Sequence, residues 1–95
     1  MENQHQKIKG YRDLSQAEID LMNKIKAHGA ATDALLGEVH AHVGQQIVDA
    51  KNLPEKDEEH RIDDAQPQRW IAMARTDFQT GLMKLVRAVA QPTTF

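Results

Sequence analysis

The sequence predicts an all-α fold: a short N-terminal helix leading into a two-helix antiparallel hairpin, assembled as a homo-oligomer. Three observations carry this. Apolar residues recur at three- and four-residue spacing in two long segments, and no alternating strand pattern competes. Prolines at 54, 67 and 92 fall where the periodic segments stop or start. The third observation is a thin core. A chain of 95 residues buries only roughly 60–65% of the surface its unfolded form exposes. Its aromatics are Tyr11, Trp70, Phe78 and Phe95, and much of its apolar count is alanine. With no cysteine, neither a disulfide nor a thiolate metal cluster can staple the fold. Association remains as the ordinary route to stability.

Residues 1–14 form a polar arm within a single domain that spans 1–95. Ser15 followed by Glu18 is a capping box that opens the first helical arm, residues 15–53, with Leu14 placed as a staple residue. Ile19, Met22 and Ile25 mark one apolar face. His28-Gly29 is a stop or a kink, since glycine costs about 1 kcal/mol relative to alanine inside a helix. Leu36, Val39, Val43 and Ile47 then continue the arm to about Asn52. Gly37 and Gly44 share a face there; they either admit another helix closely or fray the arm. Residues 54–66 read as a charged connector without an apolar face. Pro67 opens the second arm, 67–91, in which Ile71, Ala74, Phe78, Leu82, Leu85 and Val89 make a coiled-coil-like stripe. The two arms are expected to be nearly equal in length.

Charge and composition exclude several functions. The formal net charge is −2, with seven acids against three bases over residues 49–64 and four bases against one acid over 65–95. Nothing resembles the dense basic stripe that duplex nucleic acid requires, so duplex nucleic acid is not an expected partner. No stretch approaches the length of apolar sequence that spans a bilayer, and the N-terminus lacks the hydrophobic run of a signal peptide. The expected setting is cytosolic, with no membrane partner. Glu38 and His42 share a helix face, but two ligands are too few for a structural metal site, so no metal and no cofactor are expected. There is no nucleophile elbow and no phosphate-cradling glycine loop, and the connector's acids are too solvated for catalytic tuning. No catalytic residue is assigned, and the chain is not expected to be an enzyme.

The informative constellation lies near the N-terminus: Lys7, Lys9, Gly10, Tyr11 and Arg12, with Lys24 and Lys26 one helix later. Tyr11 stands beside a glycine, among cations and outside any apolar periodicity. An aromatic face offers a nucleobase roughly 1–3 kcal/mol of stacking. Arginine and lysine meet phosphate oxygens, arginine in bidentate fashion. Glycine leaves room for a ligand to approach the backbone. Two readings stay open on composition alone: a small-nucleotide site, or a tyrosine that anchors the N-terminal arm over the hairpin.

The segment Lys7-Ile8-Lys9-Gly10-Tyr11-Arg12-Asp13-Leu14-Ser15 is followed by Ile19-Asp20-Leu21-Met22-Asn23-Lys24-Ile25-Lys26. Farther on come Trp70-Ile71-Ala72-Met73-Ala74 and Leu85-Val86-Arg87-Ala88-Val89-Ala90-Gln91-Pro92. Together these resemble the phage anti-CBASS cyclic-nucleotide sponges, whose hairpin domain is shared with a class of anti-Thoeris sponges. The resemblance covers essentially the whole chain; the connector at 54–65 is not diagnostic.

The resemblance implies a homohexamer in the host bacterial cytoplasm that captures cyclic oligonucleotide second messengers without cleaving them. Cyclic dinucleotides such as 3′,3′-cyclic GMP-AMP are the first ligand class, in a pocket between two subunits served by Tyr11 and Lys26. Cyclic trinucleotides are a second, where three subunits meet, near Gly10, Arg12, His28 and Arg69. The main alternative is a small helical oligomeric module that binds a protein and no nucleotide. A messenger-degrading phosphodiesterase would need a metal or an acid–base pair in addition.

Overall fold

The computed structural model describes residues 13–94. All its regular structure is helical: α1 (Gln16–Lys51), α2 (Asp57–Ala65) and α3 (Pro67–Ala90). The Ser15 capping box forms as expected. Ser15 Oγ accepts from the Glu18 amide at 3.2 Å, and the Ser15 amide donates to Glu18 Oε1 at 2.8 Å. Two of the otherwise orphaned donors at the start of α1 are thereby satisfied.

The helix then runs unbroken for 36 residues. A stop at His28-Gly29, one of the two readings of that pair, does not occur. Its reason lies on the neighbouring helix: a Cβ at Gly29 would stand 3.2 Å from Leu82 Cδ1. This glycine permits a close helix approach and does not end a helix. The first helix and the first hairpin arm are therefore one element, and the arms are unequal, 36 residues in α1 against 24 in α3.

The charged connector is also corrected. It contains α2, whose three first-turn acids, Asp57, Glu58 and Glu59, suit the positive end of the helix dipole. Ile62 of α2 is buried, and Lys56 Nζ donates to the carbonyls of Lys51 (3.1 Å) and Leu53 (3.3 Å), closing the end of α1. Gln66 joins α2 to α3 in the left-handed region (φ 50°, ψ 52°), and Pro67 follows in the first turn of α3. A left-handed residue turns the chain within one peptide, which is why the two helices need no longer loop.

α1 and α3 are antiparallel: Gly29 lies by Leu82, and Asp33 Oδ1 accepts from Arg75 Nη1 at 2.7 Å. Among the described residues four are buried: Leu36, Val43, Ala50 and Ile62. The three on α1 fall at seven-residue intervals in line with Gly29, a heptad seam. Of the α3 stripe, Ile71, Ala74, Leu82 and Val89 are half-buried, whereas Phe78 and Leu85 remain about half exposed. Val39 of the α1 stripe is exposed too. The outcome is a rod of 67 × 24 × 15 Å with a radius of gyration of 20.5 Å. A compact domain of this length would have about 12 Å.

Candidate functional site

Lys26 projects from the third turn of α1 and is exposed, as is Lys24. α3 ends alongside, since Leu82 packs at the level of Gly29, so Lys84 and Arg87 belong to the same end of the rod. That end carries these four cations on two helices, with Asp13, Glu18 and Asp20 at the start of α1 beside them, and Arg87 Nη2 donates to the Thr94 carbonyl at 3.3 Å, folding the tail back. Beside this contact is a shallow apolar groove of about 460 Å³ lined by Met83, Val86, Ala90 and Pro92, with Lys84 and Arg87 on its rim. Tyr11, Gly10 and Arg12 lie outside the described residues.

His28 is exposed on α1, and its carbonyl accepts from the Thr32 hydroxyl at 2.9 Å. Arg69 stands in the first turn of α3. Its Nη1 donates to Gln66 Oε1 at 3.3 Å, and its guanidinium carbon is 5.7 Å from the centre of the Trp70 ring. Trp70 is 58% exposed, so the cation–π contact is a solvated one, contributing about 0.5–1 kcal/mol. Arg69 lines a groove of about 600 Å³ where the three helices meet, together with Ile47, Lys51, His60, Gln66 and Gln68. Glu59 and Asp63 line it as well, so Lys51 and Arg69 face two carboxylates and the charge of this groove is mixed. The sequence reading singled out Arg69 alone, because the groove is closed by α2, an element it did not resolve.

These positions do not meet within one chain. Ile47, on the Arg69 groove, is about 28 Å along α1 from His28 at 1.5 Å per residue. Any site that uses both His28 and Arg69 takes them from different chains. Elsewhere, the carboxyl of Glu58 is held below the usual carboxylate range by its hydrogen bond from Arg61, whose own pKa is raised in return. The pair is solvent-exposed on α2 and is a surface helix contact, not acid–base machinery. Glu38 and His42 are exposed, and among the described residues no three His, Cys, Asp or Glu side chains gather as metal ligands. No described helix is long and apolar enough to cross a membrane.

A helical hairpin of this kind can be compared with known proteins over its full length. The Acb2/Tad1 hairpin domain matches residues 3–90. The chain belongs to this hairpin family. Its similarity to a named member is equally extensive: anti-CBASS protein 2 of Pseudomonas phage JBD67 is 44% identical over 105 aligned positions, covering 97% of each chain. The Acb2/Tad1 match begins early enough to include Gly10, Tyr11 and Arg12, and it extends through Lys26, His28 and Arg69. The family is thus the one that the N-terminal and C-terminal segments resembled, and its hairpin is the α1–α3 pair.

Proposed function

We propose that this chain is a phage-encoded sponge that binds and sequesters cyclic dinucleotides such as 3′,3′-cyclic GMP-AMP, and cyclic trinucleotides as a second class, to block host CBASS immunity. The observation that carries the reading is the near full-length similarity to a phage protein named for anti-CBASS action; the capture of cyclic nucleotides is our reading of how that action is exerted. Capture alone suffices: with the messenger held, its effector stays off, and no bond is broken. The protein acts in the host bacterial cytoplasm and uses no metal or cofactor.

The site residues are proposed on the same footing. Tyr11 supplies a stacking face and Lys26 a phosphate partner for the dinucleotide, in a pocket between two subunits. A pseudo-symmetric ligand suits a pocket on a two-fold axis. Gly10, Arg12, His28 and Arg69 serve the trinucleotide. The separation of His28 from Arg69 along the rod supports a site shared among chains. So do the exposed Phe78, Leu85, Leu35 and Met83, which a homo-oligomer, in this reading a hexamer, would cover.

Isothermal titration with 3′,3′-cyclic GMP-AMP, followed by heat denaturation and chromatography of the released ligand, tests this. The expected result is saturable binding near one ligand per two subunits with the messenger recovered intact. Linear products would make the protein a phosphodiesterase. No binding of this ligand or of a cyclic trinucleotide would leave a protein-binding module.

A further inference from the structure

We propose that the groove where the three helices meet is a guanine subsite, in which Asp63 of α2 reads one base of a bound cyclic trinucleotide. The inference rests on the nucleotide-capture reading above and adds a base preference and the residue that sets it. The groove has a volume of about 600 Å³, within the roughly 300–1,000 Å³ of small-molecule sites. Ile47 and Pro67 give it apolar walls. Its charges are sorted by element. The cations, Lys51 and Arg69, come from the end of α1 and the start of α3. The carboxylates, Glu59 and Asp63, both come from α2, four residues apart and so on one face of that helix, with His60 between them in sequence.

A ligand that fits this groove carries its anionic groups and its hydrogen-bond donors on different atoms. Lys51 and Arg69 suit a phosphate, whereas the two carboxylates repel one. Arg69 gives one donor to Gln66 Oε1 at 3.3 Å and keeps the rest of its guanidinium fork for the ligand. Ionised carboxylates only accept, so the part of the ligand that meets α2 must donate. The four bases differ on this point. Guanine carries N1–H and the N2 amino group side by side, two donors matched to two carboxylate oxygens. Adenine sets an acceptor, N1, beside its amino group, and cytosine does the same with N3. Uracil flanks N3–H with two carbonyls. Each of these three turns lone pairs toward the carboxylate, so one wall both attracts guanine and repels its competitors. Of the two acids, Asp63 is the one available. Glu59 Oε1 lies 3.9 Å from Lys56 Nζ, while Asp63 has no ion pair or side-chain hydrogen bond among the described residues.

Calorimetric titration of the full chain with cyclic tri-adenylate, and with the same ring carrying one guanine in place of an adenine, tests this. The guanine ring should bind about tenfold tighter, the order of discrimination that a bidentate base contact gives. Asp63→Asn should erase the preference by weakening the guanine ring alone, with tri-adenylate bound as tightly as before or more so, because a repelling charge is gone. Glu59→Gln removes the same charge from the same helix and should keep the preference. Both side chains lie on the surface of α2, and helical circular dichroism checks that each variant folds. Equal affinities in the parent chain, or a preference that survives Asp63→Asn, would overturn the proposal. So would an equal loss of preference in both variants, which would report only the charge of the groove. In each of these cases the rings still bind, so nucleotide capture would stand apart from the failure. A parent chain that bound neither ring would instead overturn this proposal together with the trinucleotide part of the capture reading.

Discussion

Tyr11 and Lys26 are asked to do different things for one ligand, and single substitutions separate the two roles. Removing the Tyr11 ring deletes a stacking surface worth roughly 1–3 kcal/mol per base. Tyr11→Ala should therefore weaken cyclic dinucleotide binding about tenfold or more, with the oligomer intact. Titration calorimetry reads this directly, and an unchanged affinity would return Tyr11 to the role of an arm anchor. Residue chemistry was legible in the sequence where it is local. Ser15 and Glu18 make both bonds of their capping box because each partner is three positions from the other. Arg69 was legible as a cation but not as one held by Gln66 and laid against Trp70. That geometry depends on the left-handed turn at Gln66, which nothing in the residue type foretells.

At the scale of elements, α1 owes its start to one serine. Ser15→Ala removes the acceptor for the Glu18 amide and should cost about 0.5–2 kcal/mol in chemical denaturation, with Ser15→Asp restoring most of it. If Ser15→Ala were as stable as the parent, the box would be ornamental and packing alone would fix the helix end. Periodicity found both long helices and Pro67 marked the start of α3, because those signals are local and repeated. Two elements were misread for a shared reason. Gly29 breaks a helix on intrinsic preference, yet Leu82 fills the space its missing side chain leaves. Ile62 is a lone apolar residue in a charged run, too sparse to show a period, yet α2 folds back and buries it. Both depend on a partner distant in sequence. The stripe on α3 was found, but half of the Phe78 surface remains exposed. Its truncation therefore forfeits the full cost of a core phenylalanine only where another chain covers it.

For the whole molecule, the balance of buried and exposed surface is what motivates the proposed self-association. Among the described residues four side chains are buried, one of them alanine, a small core to set against the conformational entropy of two long helices. Propensity does not close the gap, since helices in proteins draw most of their stability from packing. The sequence carried this argument as a shortage of aromatics and cysteine, and the rod's dimensions give it shape. If folding and association are one event, stability must follow protein concentration by mass action. Each tenfold dilution should remove about 1.4 kcal/mol per association step, lowering the thermal midpoint by a few degrees. Circular dichroism melts over a hundredfold range of concentration check this. A constant midpoint together with a monomeric mass would mean that a single thin hairpin is stable alone, and the exposed apolar faces of α1 and α3 would then need a partner other than the chain itself.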